Sequence, residues 1–336
     1  VCTVTNGTGT VLAEVTNVAV NCVSTTRNYA TVSTYVNAAA AQFSNAEGIA
    51  VDSAGVLYVA DMINNRIRKI ATDGTVTTLA GTTTPGSLNG TGAAASFSFP
   101  QSVATDADGN VYVADTSNHL IRKITPAGVV TTVAGIAGSA GHTNGPAATA
   151  KFNSPSGIAT DTSGNLYVAD ANNNLIRKIS AAGEVTTLAG PGSLDATGAP
   201  APAFNSPRAL VVDPTGVVYV SDSANNMIRK ITPAGVVTTL AGSTTAGNAD
   251  GNGTAATFNF PHGIALDASG NIYVVSNDRV RKITPAGEVT TLTGTATGVR
   301  VDGTLAAAVF SGTQSLTIDA NGVIYVLEID DVRKIE

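Results

Sequence analysis

Few side chains in this sequence are equipped for chemistry, and they are unevenly placed. His119, His142 and His262 are its three imidazoles. None stands at a zinc-ligand spacing from another or from a cysteine. No Gly-x-Ser-x-Gly elbow, phosphate loop or paired-carboxylate pattern accompanies them, so neither a metal nor a cofactor is expected. Twelve of the 18 basic residues form six Arg-Lys pairs, at 68–69, 122–123, 177–178, 229–230, 281–282 and 333–334. A phosphate-binding ring is one reading of them. Against it, 24 acidic residues give a net charge of −6, and an Asp in the preceding Tyr-Val-Ala-Asp strings favours local pairing over nucleic acid.

Those pairs are evenly spaced because they belong to a longer repeat. Asp-x-x-Gly-x-apolar-Tyr-Val begins at Asp52, Asp106, Asp161, Asp213, Asp267 and Asp319, and each copy runs on to Arg-Lys-Ile. In the third copy, Gly157 to Thr160, Leu166 to Ala169, Leu175 to Ile179 and Glu184 to Leu188 are short β-branched-rich runs. Asp161-Thr162-Ser163-Gly164 places Asp and Gly at the first and fourth positions of a type I turn. Six units of four short antiparallel strands predict an all-β fold, a six-bladed β-propeller over residues 29–336. The sixth unit stops after its third strand, whereas residues 30–36 carry the fourth-strand pattern. That orphan strand is expected to close the ring and remove two open sheet edges.

The strings at residues 157–179, Gly-Ile-Ala-x-Asp-x-x-Gly-Asn-Leu-Tyr-Val-Ala-Asp-x-x-Asn-Asn-x-Ile-Arg-Lys-Ile, resemble NHL repeats. The resemblance implies the propeller fold but does not choose a function, because NHL propellers include enzymes, ligand sensors and binding platforms. NHL-type amidating lyases use several channel histidines, and only one histidine here falls at a channel position. The repeated tyrosines are expected to be blade packing. Phe43, Phe99, Phe152, Phe204, Phe258 and Phe310 are expected to plug the seams between blades.

Variation between the repeats marks a candidate site. One position before each innermost strand differs from blade to blade: Glu47, Gln101, Ser156, Arg208, His262 and Gln314. Together they would rim the mouth of the central channel, where a mixed polar ring suits a small polar ligand. The turns at Ser276-Asn277-Asp278 and Glu328-Ile329-Asp330-Asp331 are shorter than their counterparts, marking either a contact surface or drift near the closing seam.

Residues 1–28 belong to no blade. Their pattern resembles the short Cys-Thr-Val-x-Asn-Gly β modules of bacterial secreted and surface proteins. A Cys2–Cys22 disulfide would close a loop worth roughly 3 kcal/mol; a pair of free reactive thiols is the alternative. The chain opens as a mature product freed of a leader would, and extracellular or cell-surface location is expected. No run of about 18 apolar residues predicts a membrane span. Asn6, Asn89 and Asn252 head Asn-Gly-Thr glycosylation patterns. A short hairpin cannot build its own core. The leading expectation is therefore a structural or adhesive protein in which residues 1–28 dock head to tail onto another copy, or onto another surface protein. The alternative is a ligand-binding propeller, or an enzyme of lyase or hydrolase type, with its site at the channel mouth.

Overall fold

The Asp that opens each repeat also builds its first hairpin. Asp161 Oδ1 accepts the backbone N–H groups of Ser163 and Asn165, both at 2.9 Å, while Gly164 N–H returns to the Asp161 carbonyl at 3.1 Å. Gly164 takes φ +79°, a left-handed value that glycine adopts without steric penalty. The Tyr167 hydroxyl then donates to Asp161 Oδ2 at 3.2 Å, so the tyrosine both packs the blade and ties its turn.

The computed structural model describes residues 27–201, 203–294 and 298–336. Six antiparallel sheets stand around a central axis. Blade three is typical, with strands Pro155–Thr160, Leu166–Asp170, Leu175–Ile179 and Glu184–Ala189 from the axis outward. Thr31–Val36 pairs antiparallel with Val332–Ile335, matching Val32 to Ile335 and Ser33 to Lys334. The ring is closed as the sequence requires. In four blades a two-residue strand from the preceding connection, such as Gly145–Pro146, adds to the outer edge and covers part of it. No helix among the described residues is long and apolar enough to cross a membrane. Cys2, Cys22 and Asn6 lie outside the described residues, as does nearly all of the 1–28 segment.

Adjacent blades share one apolar core at each seam, as where Ala104, Ile121 and Ala134 meet Phe152, Ile158 and Val168. A buried arginine sits over each plugging phenylalanine, 5.2 to 5.6 Å from the ring centroid. In blade two the plug is Phe97, 0% exposed, and not Phe99, which is 42% exposed. The two stand two residues apart in the same loop, and the backbone presents only Phe97 to the seam. The arginines of these pairs are structural, and in most blades the preceding Asp is the partner. Arg122, Arg177 and Arg229 meet Asp115, Asp170 and Asp222 at 2.8 to 3.1 Å, entirely out of solvent.

A second device latches blade to blade. Asn65, His119, Asn174 and Asn226 end their turns in the left-handed region. Each side chain accepts a backbone N–H from the next blade, that of Phe99, Ser154, Ser206 and Phe260 respectively, at 2.8 to 3.0 Å. His119 therefore does asparagine's work through Nδ1. Replacing His119 by Asn is expected to leave thermal stability unchanged. His119→Ala, which orphans the Ser154 N–H and keeps a strained φ, should lose roughly 1–2 kcal/mol. Equal losses in the two variants on chemical denaturation would refute the latch.

Candidate ligand site at the channel mouth

The innermost strands come unusually close at their N-terminal ends. A Cβ on Gly48, Gly157 or Gly263 would lie 2.4 to 2.6 Å from backbone atoms of the next blade. Glycine in alternate blades thus lets the strands converge where they begin. Below this constriction the axis widens into a chamber of about 440 Å³. Ile49, Val103, Ile158, Leu210, Ile264 and Leu316, one from each blade, line it. Its size falls within the range of about 300–1,000 Å³ usual for ligand pockets.

Glu47, Gln101, Ser156, Arg208, His262 and Gln314 all line one small cavity of about 20 Å³ at the constriction. The ring is therefore assembled but tightly shut. Glu47 and Arg208, from blades one and four, form an ion pair across the axis. Ser156 is committed to structure, its hydroxyl lying 3.0 Å from the Pro207 carbonyl and 3.1 Å from that of Arg208. Gln101 has a softer contact, with Nε2 4.0 Å from Met62 Sδ.

His262 is the chemically distinctive member. Burial, and then the Arg208 charge, push its pKa down to about 4, against a side-chain hydrogen bond with Gln314 and the charge of Asp278. The imidazole is neutral at pH 7. Its Nδ1 is buried without a hydrogen-bond partner among the described residues, and Phe260 packs edge-on against the ring at 5.2 Å. Among the described residues no group of three or more His, Cys, Asp or Glu side chains is placed to hold a metal ion.

Two neighbours of the ring have no part in it on the sequence alone: Phe99 is expected there to plug a seam, and Phe260 is not singled out. Phe99 and Phe260 occupy the position two residues before Gln101 and His262, with φ of 50°. The equivalent residues elsewhere are Asn45, Ser154, Ser206 and Gly312, which suit a left-handed backbone better than an aromatic does. The conformation costs a Cβ-bearing residue roughly 1–2 kcal/mol. The signal was the Phe-Pro dipeptide, present at this offset only in blades two and five.

Other candidate positions are explained locally. Asn89 is exposed, but its Oδ1 accepts from Arg122 at 2.8 Å. Asn252 is exposed in the short strand Gly251–Asn252. The short turn of blade five has Asn277 and Asp278 both left-handed. In blade six Arg300 bonds Asp330, meets Asp331 at 2.7 Å and Glu328 at 3.4 Å, so that turn is held by an internal ion-pair network.

Fold and mouth together define a six-bladed β-propeller with an axial candidate site. The NHL repeat profile matches residues 97–124 and 152–179, and the other blades carry the same Asp-x-x-Gly-x-apolar-Tyr-Val motif. NHL repeat-containing protein 2 of Homo sapiens is 28% identical over 317 residues, covering 82% of this chain and 44% of that protein. The chain spans less than half the length of the curated relatives it matches first. Among solved structures, a protein of unknown function from Bacteroides thetaiotaomicron superposes with a TM-score of 0.70 at 21% identity, covering 91% of this chain and 75% of that one. An auxiliary nutrient binding protein from the same organism gives 0.68 at 15% identity, covering 99% and 82%. At such identities the structural likeness establishes the fold alone.

Proposed function

We infer that this chain is a binding propeller, working outside the cytoplasm, that captures a small polar ligand at its upper channel mouth. One observation carries the reading. Six equivalent positions that differ from repeat to repeat converge on a single constriction, where a cross-axis ion pair and a neutral imidazole, one nitrogen of it unpartnered among the described residues, meet two amides. Folding explains the constant residues of the repeat, but it does not ask six equivalent positions to differ. The charge-poor composition and the similarity in fold to an auxiliary nutrient binding protein support it.

The test is a thermal-shift screen of the full chain against polar metabolites, followed by calorimetry on any hit. Glu47→Ala and Arg208→Ala should each weaken a true ligand tenfold or more, about 1.4 kcal/mol. Binding unaffected by both changes would end the mouth reading. Light scattering on the full chain and on a chain lacking residues 1–28 addresses the competing assembly role. Large particles that fall to single chains on truncation would favour a head-to-tail structural protein.

A further inference from the structure

Phe99 and Phe260 are set against folding in two ways. Each holds a bulky aromatic in the left-handed region, at a position that other blades fill with Asn, Ser or Gly. Each is also partly exposed, at 42% and 40%, unlike the buried plugging phenylalanines, so less apolar burial offsets the strain. Strain of this kind persists at places where it serves binding. The two phenylalanines belong to blades two and five, which face each other across the six-bladed ring. Phe260 packs edge-on against His262, which lines the mouth. Phe99 holds the same offset from Gln101 on the far side.

The ring between them has a definite chemistry. Glu47 and Arg208 cancel each other's charge, and His262 carries none at neutral pH. Gln101 and Gln314 each offer both a donor and an acceptor. A set with no net charge and many neutral hydrogen-bonding groups does not select an anion or a cation. It suits a ligand rich in hydroxyls. Flanking aromatic faces, with their negative π surface, attract the polarised C–H groups on the faces of a sugar ring.

We propose that Phe99 and Phe260 form a split aromatic rim that selects a neutral saccharide, stacking its ring faces while the polar mouth binds its hydroxyls. This rests on the mouth being a ligand site. The experiment is affinity electrophoresis of the full chain through gels holding starch, xyloglucan, galactomannan or mixed-linkage β-glucan, with calorimetry on neutral oligosaccharides of any retarding polymer.

Retardation by at least one neutral glycan is expected, with a loss of tenfold or more in affinity for Phe99→Ser/Phe260→Ser. Those serines are what blades three and four carry at the same position, so the variant should fold, with a melting temperature within a few degrees of the parent's. A melting temperature lower by about 10 °C or more would show the rings to be structural and overturn the rim. Indifference to every neutral glycan, or glycan binding that survives the double change, would also overturn it. If a charged metabolite binds instead, and Glu47→Ala abolishes that binding while the phenylalanine changes do not, the mouth stands and the saccharide rim falls. If no ligand responds to either set of changes, the mouth reading itself fails.

Discussion

Asp170→Ser is expected to lower the melting temperature by on the order of 10 °C, and Asn144→Asp in the same chain should restore a large part of the loss. Arg177 is wholly buried. Its Nη1 bonds Asp170 at 3.0 Å and the Lys151 carbonyl at 3.0 Å, and its Nη2 bonds Asn144 Oδ1 at 2.6 Å and the Thr143 carbonyl at 3.1 Å. Removing the carboxylate leaves a buried cation without its counter-charge, which costs about 3–5 kcal/mol, and 1 kcal/mol moves a chain of this size by a few degrees. The rescue is written into blade five. There Ser276 stands where the other blades have an acid, and Arg281 draws its charge partner from Asp250 at 2.8 Å. Asp250 is the counterpart of Asn144, so the double variant copies an arrangement this protein already uses. Thermal melts of the two single variants and the double decide it; strict additivity would show that charge balance is not what Asp170 supplies.

The second large effect is an acid limb of stability belonging to His262. In the unfolded chain this histidine binds a proton near pH 6.5, but in the folded state only near pH 4. Between those values the unfolded state holds more protons, so stability must fall as pH falls and is fully present above 6.5. The difference corresponds to about 3 kcal/mol between pH 7 and pH 4. Asp170, Asp222 and Glu328, whose burial raises their pKa values, act with the opposite sign: they lose stability as pH rises through the carboxylate range. The wild-type curve mixes both, so the comparison is with His262→Gln. Urea unfolding at pH 7 and pH 4 should show the parent losing about 3 kcal/mol more than the variant. Parallel losses would mean the imidazole is not held neutral in the fold.

Much of this could be read along the chain because it is encoded within one repeat. An acid and an arginine seven residues apart face each other across a hairpin, and a turn needs only its own Asp and Gly. Blade number, strand order and ring closure by residues 30–36 follow from counting such units. The membership of the mouth was legible for the same reason, since equal offsets in a closed ring must end at equal height.

What those residues do there was not legible. Glu47 finds Arg208 161 residues away only because blades one and four end up opposed. Ser156 is drawn away by carbonyls of the next blade. Phe97 and Phe99 are the same side chain two positions apart, and the sign of one φ angle decides which is buried. His119 and His262 are chemically identical in the sequence, yet one latches two blades and the other is neutralised by burial beside a guanidinium. Sequence determined every interaction whose partners share a repeat. Only the closed ring decided those across the axis, because burial and cross-channel distance exist only once the six blades have met.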